Sequence, residues 1–241
     1  NDIKQVTFFM EECKRMGVPV LGPDINESVY KFTVNQKGEV RFGLGAVKGV
    51  GEAAVHAIVN ERKENGNYTS LEDFVGRVNL KSANKRTLES ISLSGGFDSF
   101  DIYRSQLFYS EDSVSYLEKM MRFGSAIQAE KNSTQIDMFG ELGETSIQSP
   151  AAPQVEKWGT MELLSKEKDV VGVYISGHPL DDYRFEIENF VNSSFDVLKN
   201  MEEFKGRDLR FAAVVTDVEH RESSNGKKYG VVHLEDYTDS F

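Results

Sequence analysis

The segment that most limits the fold is Gly43-Leu44-Gly45-Ala46-Val47-Lys48-Gly49-Val50-Gly51, which runs directly into Glu52-Ala53-Ala54-Val55-His56-Ala57-Ile58. A short helix ending near Lys48, a tight Gly49-Val50-Gly51 turn and a second helix starting at once are the arrangement this order of residues permits. Glycines in such a turn allow positive φ and a close backbone approach. The first amides of the second helix then point outward with the positive end of the helix dipole behind them. That is an anion site built without charged side chains. Val50 is expected to tuck between the two helices, with Val55, Ile58 and Val59 as the inner face.

A second unit follows. Ser70 can cap a helix over Leu71-Glu72-Asp73-Phe74-Val75, and Asp73 stands where a capping box places its carboxylate. Asn79 to Asn84 reads as a turn and Lys85 to Leu93 as helix, without the glycine signature of the first hairpin. A plain helix-turn-helix corner would also use glycine. The pattern hydrophobic-x-x-hydrophobic-Lys-Gly-Val-Gly before an apolar-faced helix is much more particular, and it is similar to the helix-hairpin-helix motif. A DNA phosphate fits such a hairpin, and recognition through it is blind to base sequence. The expected duplex contacts are Lys48, Gly49, Val50 and Gly51, with Lys81, Lys85 and Arg86 from the second hairpin either touching phosphates or solvating an exposed face.

Around these hairpins the periodicity predicts a helix from Ile3 to Met16, with Val6, Phe9, Met10 and Cys13 recurring on one side and Gly17 ending it. Val18 to Asp24 holds two prolines and cannot be helical, while Tyr30–Val34 and Val40–Phe42 alternate like a short hairpin. Ile102 to Arg122 reads as one longer helix with Leu107, Val114, Leu117 and Met121 inside. Gly124 to Pro153 loses periodicity and reads as a mobile linker, after which Trp158 is expected to anchor the next domain. Met161–Lys168 and Leu180 to about Val191 read as helices, with Gly177-His178-Pro179 as a turn in which His178 is structural. The tail alternates from Leu209 to Val215 and from Tyr229 to Glu235 about a Ser223–Gly226 turn. Two strands alone are marginal in water, so this hairpin needs a third strand or other support. The fold class is mostly α, with a small N-terminal β-hairpin and a C-terminal one.

Composition narrows the function. The net charge is −11, and all of it falls on residues 101–241, because residues 1–100 are balanced. Such a chain does not coat nucleic acid by bulk electrostatics, so any DNA contact must be local and geometric. No apolar run is long enough for a membrane span and no secretory leader is evident. Cys13 is alone, which excludes an internal disulfide and fits a reducing cytoplasm. His56, His178, His220 and His233 are scattered, and no His/Cys/carboxylate cluster has metal-ligand spacing. The chain begins at Asn1 without Met and stops at Phe241 within what reads as a sheet, so an excised piece of a longer protein is expected.

The quoted residues resemble, in order and across nearly the entire chain, the alpha subunit of the bacterial replicative DNA polymerase III. Gly17-Val18-Pro19-Val20-Leu21-Gly22-Pro23-Asp24-Ile25-Asn26-Glu27-Ser28 resembles the close of its fingers region, and Phe42 to Gly51 its first helix-hairpin-helix. Asn84-Lys85-Arg86-Thr87-Leu88-Glu89 with Gly95-Gly96-Phe97-Asp98-Ser99 resembles the end of its second hairpin. Glu167-Lys168-Asp169-Val170-Val171-Gly172-Val173-Tyr174-Ile175-Ser176-Gly177-His178-Pro179-Leu180 resembles the block before its OB domain. The resemblance implies residues 1–42 as the end of the fingers, 43–123 as a tandem helix-hairpin-helix domain, 124–157 as a linker, 158–206 as a helical connector and 207–241 as a truncated OB-fold. Ser92 and Gly96 depart from the family's usual residues, which predicts a looser second hairpin helix. The family's palm, with the aspartates that hold Mg²⁺ for nucleotidyl transfer, has no counterpart here, and adjacent Asp181 and Asp182 do not replace it. This piece is therefore expected to be non-catalytic and to need no cofactor of its own.

One further pentapeptide, Gln135-Ile136-Asp137-Met138-Phe139, is an apolar island in the polar linker. It resembles the motif by which this family docks on the ring-shaped beta sliding clamp, with Gln135 fixing register and Met138 and Phe139 filling a pocket. The resemblance thus implies duplex DNA, the clamp and other subunits of the replicative holoenzyme as partners, and no membrane. A free-standing helix-hairpin-helix repair or recombination adaptor, and a pure protein-interaction module, are the alternatives left open.

Overall fold

The structure, a computed structural model, describes residues 3–134 and 147–241. It forms two compact units, Asn1–Ser176 and Gly177–Phe241. In the first, helix α1 (Ile3–Arg15) ends where Gly17 takes φ +70°. Val6 and Met10 of α1 pack on a small cluster of Phe42, Val171 and Val173, whereas Phe9, expected inside, is exposed beside Phe8. The cluster is small enough that only a narrow stripe of the helix finds cover.

Strands β1 (Val20–Leu21), β2 (Thr33–Val34) and β3 (Val40–Arg41) form one sheet in the order β1-β3-β2. The expected hairpin is the antiparallel β2–β3 pair, and β1 adds in parallel with Val20 opposite Val40. Next come a 3₁₀ turn (Leu44–Ala46), α2 (Glu52–Asn65), α3 (Leu71–Arg77) and α4 (Lys85–Leu93). They enclose a core in which Ile58, Phe74, Leu88, Ile91, Phe97 and Leu117 are fully buried or nearly so. Ser70 caps α3 by accepting the Asp73 N–H (3.1 Å), and Asn84 caps α4 by accepting that of Thr87 (3.1 Å). The Asp73 carboxylate accepts from Thr69 N–H rather than Ser70, one residue earlier than in a capping box. The second hairpin helix is not loose. Ser92 is fully buried with its Oγ donating to Leu88 O (2.7 Å), and a Cβ on Gly96 would stand 2.5 Å from Ile91 Cγ2.

The single helix expected over 102–122 does not form. Instead α5 (Arg104–Phe108) is followed by β4 (Ser110–Glu111), β5 (Val114–Ser115) and α6 (Tyr116–Thr134). Asp112 and Ser113 take φ 55° and 63°, the two successive left-handed residues that reverse a two-residue hairpin. Leu107 and Leu117 are buried as expected, but Val114 belongs to β5. Helix α6 also passes through Gly124, where the linker was expected to begin. A Cβ there would stand 2.4 Å from Val75 O, so this glycine allows close helix contact rather than breaking the helix. Gln128 Nε2 extends the contact by donating to Val75 O and Val78 O, both at 2.8 Å.

Trp158 stands 5.6 Å from the Phe108 ring with Lys166 Nζ over its face, so it fastens the returning chain to α5. Helix α7 (Thr160–Val171) stops at Gly172, φ 90°. A buried clasp then closes the unit. Arg104 donates to both oxygens of Asp98 (Nη2 to Oδ2, 2.6 Å), to Leu93 O (3.0 Å) and to Glu167 Oε2 (3.1 Å). Glu167 Oε1 accepts from Ile175 N–H and Ser176 N–H at 2.7 and 2.9 Å. Burial works to discharge the Arg104 guanidinium, but the Asp98 hydrogen bonds and the two carboxylate charges outweigh it and raise its pKa.

The second unit holds a 3₁₀ turn (Asp181–Tyr183), α8 (Arg184–Phe190), a kinked 3₁₀ segment (Phe195–Phe204), β6 (Val214–Glu222) and β7 (Lys228–Glu235). Gly226 (φ +73°) lies in the expected turn, and β6 begins at Val214 rather than Leu209. His178 is structural here: its N–H donates to Asp181 Oδ2 (2.6 Å) and its Nδ1 accepts Leu180 N–H (3.2 Å). The hairpin finds its support within the unit. Asp236 accepts from Phe195 N–H (2.6 Å), Thr238 N–H (2.7 Å) and Asp239 N–H (2.9 Å), and the Phe195 ring packs 5.4 Å from that of Phe211.

Candidate nucleic-acid interface

The four glycines of the first hairpin serve different purposes. A Cβ on Gly43 would meet Lys31 backbone at 2.5 Å, and one on Gly45 would meet the Tyr30 ring at 2.4 Å, so both are demanded by packing. Gly49 takes φ +85°, which turns the chain. Gly51 needs neither excuse. Its φ of −83° and ψ of 156° suit any residue, and nothing lies within 4 Å of an added Cβ. The fold leaves open space in front of this residue, which is the N-cap of α2.

Among the described residues no side chain caps α2, in contrast to α3 and α4 with Ser70 and Asn84. The Ala54 and Val55 amides donate to the Gly51 carbonyl, at 3.1 and 3.2 Å, whereas those of Gly51, Glu52 and Ala53 have no acceptor among the described residues. Glu52 brings a carboxylate to this same end, where it opposes an incoming anion, and it stands 3.5 Å from His56 Nε2. Val50 is buried as expected, together with Ala54, Val55, Ile58 and Val59.

The hairpin is held from two sides that sequence reading missed. Lys48 N–H donates to Val170 O of α7 (2.8 Å), and Thr87 Oγ1 of α4 donates to Gly49 O (3.3 Å). The second contact puts the two hairpins side by side, with Arg86 Nε 3.5 Å from where a Cβ on Gly49 would be. Thr87 could have been found from its place next to the Asn84 cap, but its partner could not.

The predicted cations differ in availability. Lys48, Lys81 and Arg86 are exposed and have no ion pair among the described residues. Lys85 is engaged: its Nζ lies 2.6 Å from Glu118 Oε2, a bond that raises the lysine pKa and, with Arg122, lowers that of Glu118. Arg41, Arg62 and Arg77 are likewise committed, to Glu27, to the carbonyls of Ile25 and Glu27, and to Glu61 and Asp73. Of these cations, Lys48 adjoins the Gly49 turn in sequence and Arg86 reaches it across the hairpins. Gln135, Ile136, Asp137, Met138 and Phe139 lie outside the described residues.

A family profile described as a helix-hairpin-helix motif matches residues 17–107, the stretch that contains both hairpins. The chain is 32% identical over 248 residues to DNA polymerase III subunit alpha of Campylobacter jejuni, and 32% identical over 239 residues to that of Escherichia coli K12. With the subunit of Neisseria meningitidis serogroup B it shares 35% over 236 residues. These alignments cover 100%, 98% and 98% of this chain and 20%, 20% and 19% of the relatives. The chain is a member of the DNA polymerase III alpha-subunit family. It spans about a fifth of the length of these alpha subunits. Two blocks that mark the alpha-subunit resemblance, Gly95–Ser99 and Glu167–Leu180, meet in space: Asp98 of one and Glu167 of the other grip the same Arg104. No helix among the described residues is long and apolar enough to cross a membrane.

Proposed function

We propose that this chain is the duplex-holding part of a replicative DNA polymerase alpha subunit. It grips backbone phosphates at the Gly49–Gly51 hairpin while nucleotidyl transfer, with its Mg²⁺, takes place in a palm elsewhere in the protein. The observation that carries this reading is Gly51, a glycine that neither packing nor conformation requires, in front of an uncapped helix start. A phosphate oxygen can approach there within hydrogen-bond distance of amides, and a side chain would bar it. Arg86, beside the Gly49 turn, and the unpaired Lys48 and Lys81 add positive charge, and Lys85 contributes only if it leaves Glu118. Binding of this kind is independent of base sequence and falls with salt.

Gly51→Pro tests it. Proline fits a φ of −83°, and its Cβ meets open space, so the variant removes one amide donor, with circular dichroism to check that the hairpin folds. A hydrogen bond to a charged group is worth about 1.5–3 kcal/mol, so duplex affinity should fall about ten- to hundredfold. Fluorescence anisotropy with a labelled duplex at low and moderate salt reads this directly, and unchanged affinity in a folded variant would refute the phosphate site. Arg86→Ala should weaken binding uniformly across sequences and flatten its salt dependence.

The same reading gives the linker pentapeptide to the sliding clamp and places the protein in the cytoplasm among the other holoenzyme subunits. Gln135 sets register, and Met138 and Phe139 bury apolar surface in a clamp pocket. A peptide spanning Ser133 to Leu142 should bind the cognate clamp, and Met138→Ala with Phe139→Ala should abolish that binding while duplex binding persists. Clamp binding that survives the double substitution would remove the motif from the proposal.

A further inference from the structure

The β6–β7 hairpin brings a histidine of one strand beside two carboxylates of the other. Asp217 and Glu219 alternate onto one face of β6, and His233 of β7 pairs directly opposite Asp217. Their ligand atoms all lie within 4.8 Å of one another. His233 Nε2 faces Glu219 Oε1 at 3.4 Å, and that nitrogen is shielded from solvent without a hydrogen-bond partner. A shielded imidazole nitrogen that meets a carboxylate oxygen only at the long end of hydrogen-bond reach is placed to share a cation with it.

The geometry suits a small transition-metal ion. With bonds of about 2.0–2.1 Å, two ligands of a tetrahedral Zn²⁺ stand about 3.3–3.4 Å apart, the spacing of His233 and Glu219. Glu219 is already divided for the purpose. Arg221 Nε holds its Oε2 at 2.7 Å, leaving Oε1 toward the imidazole, in the manner of a carboxylate ligand steadied from outside the site. Asp217 Oδ1 accepts Val218 N–H (2.8 Å), which leaves Oδ2 as the third donor. A β-bulge between Val215 and Asp217 sets this register, and the Thr216 hydroxyl fastens it by donating to His233 O (3.2 Å). We propose that Asp217, Glu219 and His233 form a divalent metal site, with Zn²⁺ the ion that best matches one imidazole, two carboxylates and an open fourth position for water.

The test titrates the full chain, stripped with chelator, with ZnCl₂ at pH 7.5 by calorimetry. A saturable site is expected, and Co²⁺ in its place should give the visible absorption of a low-coordinate ion. His233→Ala and the isosteric Glu219→Gln should each weaken Zn²⁺ binding at least about tenfold. His220→Ala, on the opposite face of β6, should leave it unchanged, and acid should release the ion, because its ligands bind only when deprotonated. Glu219→Gln preserves shape, so a loss of binding in that variant is a loss of ligand and not of fold. The absence of saturable Zn²⁺ binding, or binding by the Glu219→Gln and His233→Ala chains as tight as the parent's, would overturn the site.

Discussion

Replacing Glu167 by Gln asks whether the clasp on Arg104 is ionic. The carboxylate is fully buried, with Oε1 on the amides of Ile175 and Ser176 and Oε2 on Arg104 Nη1 (3.1 Å) and Ser176 Oγ (2.5 Å). An amide of the same shape can keep the first pair through its oxygen, but its NH₂ then faces the Arg104 donor. The charge-assisted bond is lost, at about 1.5–3 kcal/mol, and the Ser176 bond must reorient, at about 0.5–1.5 kcal/mol. The sum, about 2–4 kcal/mol, stays below the cost of leaving a buried charge bare because Asp98 still holds the guanidinium. Urea unfolding followed by the fluorescence of Trp158, the chain's single tryptophan and part of this unit, reads the change. At a slope of about 2 kcal/mol per molar urea the midpoint should fall by about 1–2 M. A shift below about 0.3 M would mean that the Glu167–Arg104 contact is not a buried ion pair. The double change Glu167→Leu with Arg104→Met should cost less than the two single changes added together, since no buried charge is left unmatched and the half-exposed Asp98 stays solvated.

Two other predictions concern backbone and pH. Ser113→Gly should stabilise the first unit by roughly 0.5 kcal/mol, because Ser113 sits at φ 63°, whereas the same change inside a continuous helix would destabilise it by about 1 kcal/mol; the sign of the urea midpoint shift decides. Asp236 is a carboxylate for which burial opposes ionisation, but hydrogen bonds from Thr238, Phe195 and Asp239 prevail and lower its pKa. Its contribution is therefore present above the ordinary carboxylate pKa and lost as pH falls through the lowered one. Asp236→Asn should remove that part of the acid dependence and speed exchange of the Phe195 amide, measured by hydrogen exchange between pH 3 and 6.

Local chemistry was the legible part of the sequence. Ser70, Asn84, Gly17 and the Gly49 turn each act within a few residues of themselves, so α3, α4 and the first hairpin could be placed before any tertiary contact was known. What escaped depends on distant partners. Strand β1 is two residues long and exists only because β3 comes alongside it. The Asp112-Ser113 reversal was masked by an apolar spacing that the short α5 and the start of α6 happen to mimic. Gly124 reads as a helix breaker until Val75 is seen against it, and Arg104 reads as a surface cation until Glu167, 63 residues on, is seen to neutralise it. The Asp217, Glu219 and His233 cluster likewise requires the strand register, which a bulge shifts by one residue.

The clasp also sets where the first unit can be cut and where it can grow. The profile match ends at residue 107, yet Phe42 and Arg104 obtain their cover and countercharge from Glu167, Val171 and Val173. A fragment trimmed to the match would expose an aromatic ring and leave the Arg104 guanidinium to Asp98 alone, so a piece that keeps the clasp must continue to Ser176. Thr134 ends α6, and the Pro150 carbonyl accepts from Tyr116 OH (3.2 Å), so both ends of the stretch between them are tied to this unit. Doubling the length of a connection between two fixed ends costs only about 0.6 kcal/mol. The unit is thereby a host for cargo: sequence inserted between those two ends should be tolerated at small cost to the hairpins that the clasp helps to hold.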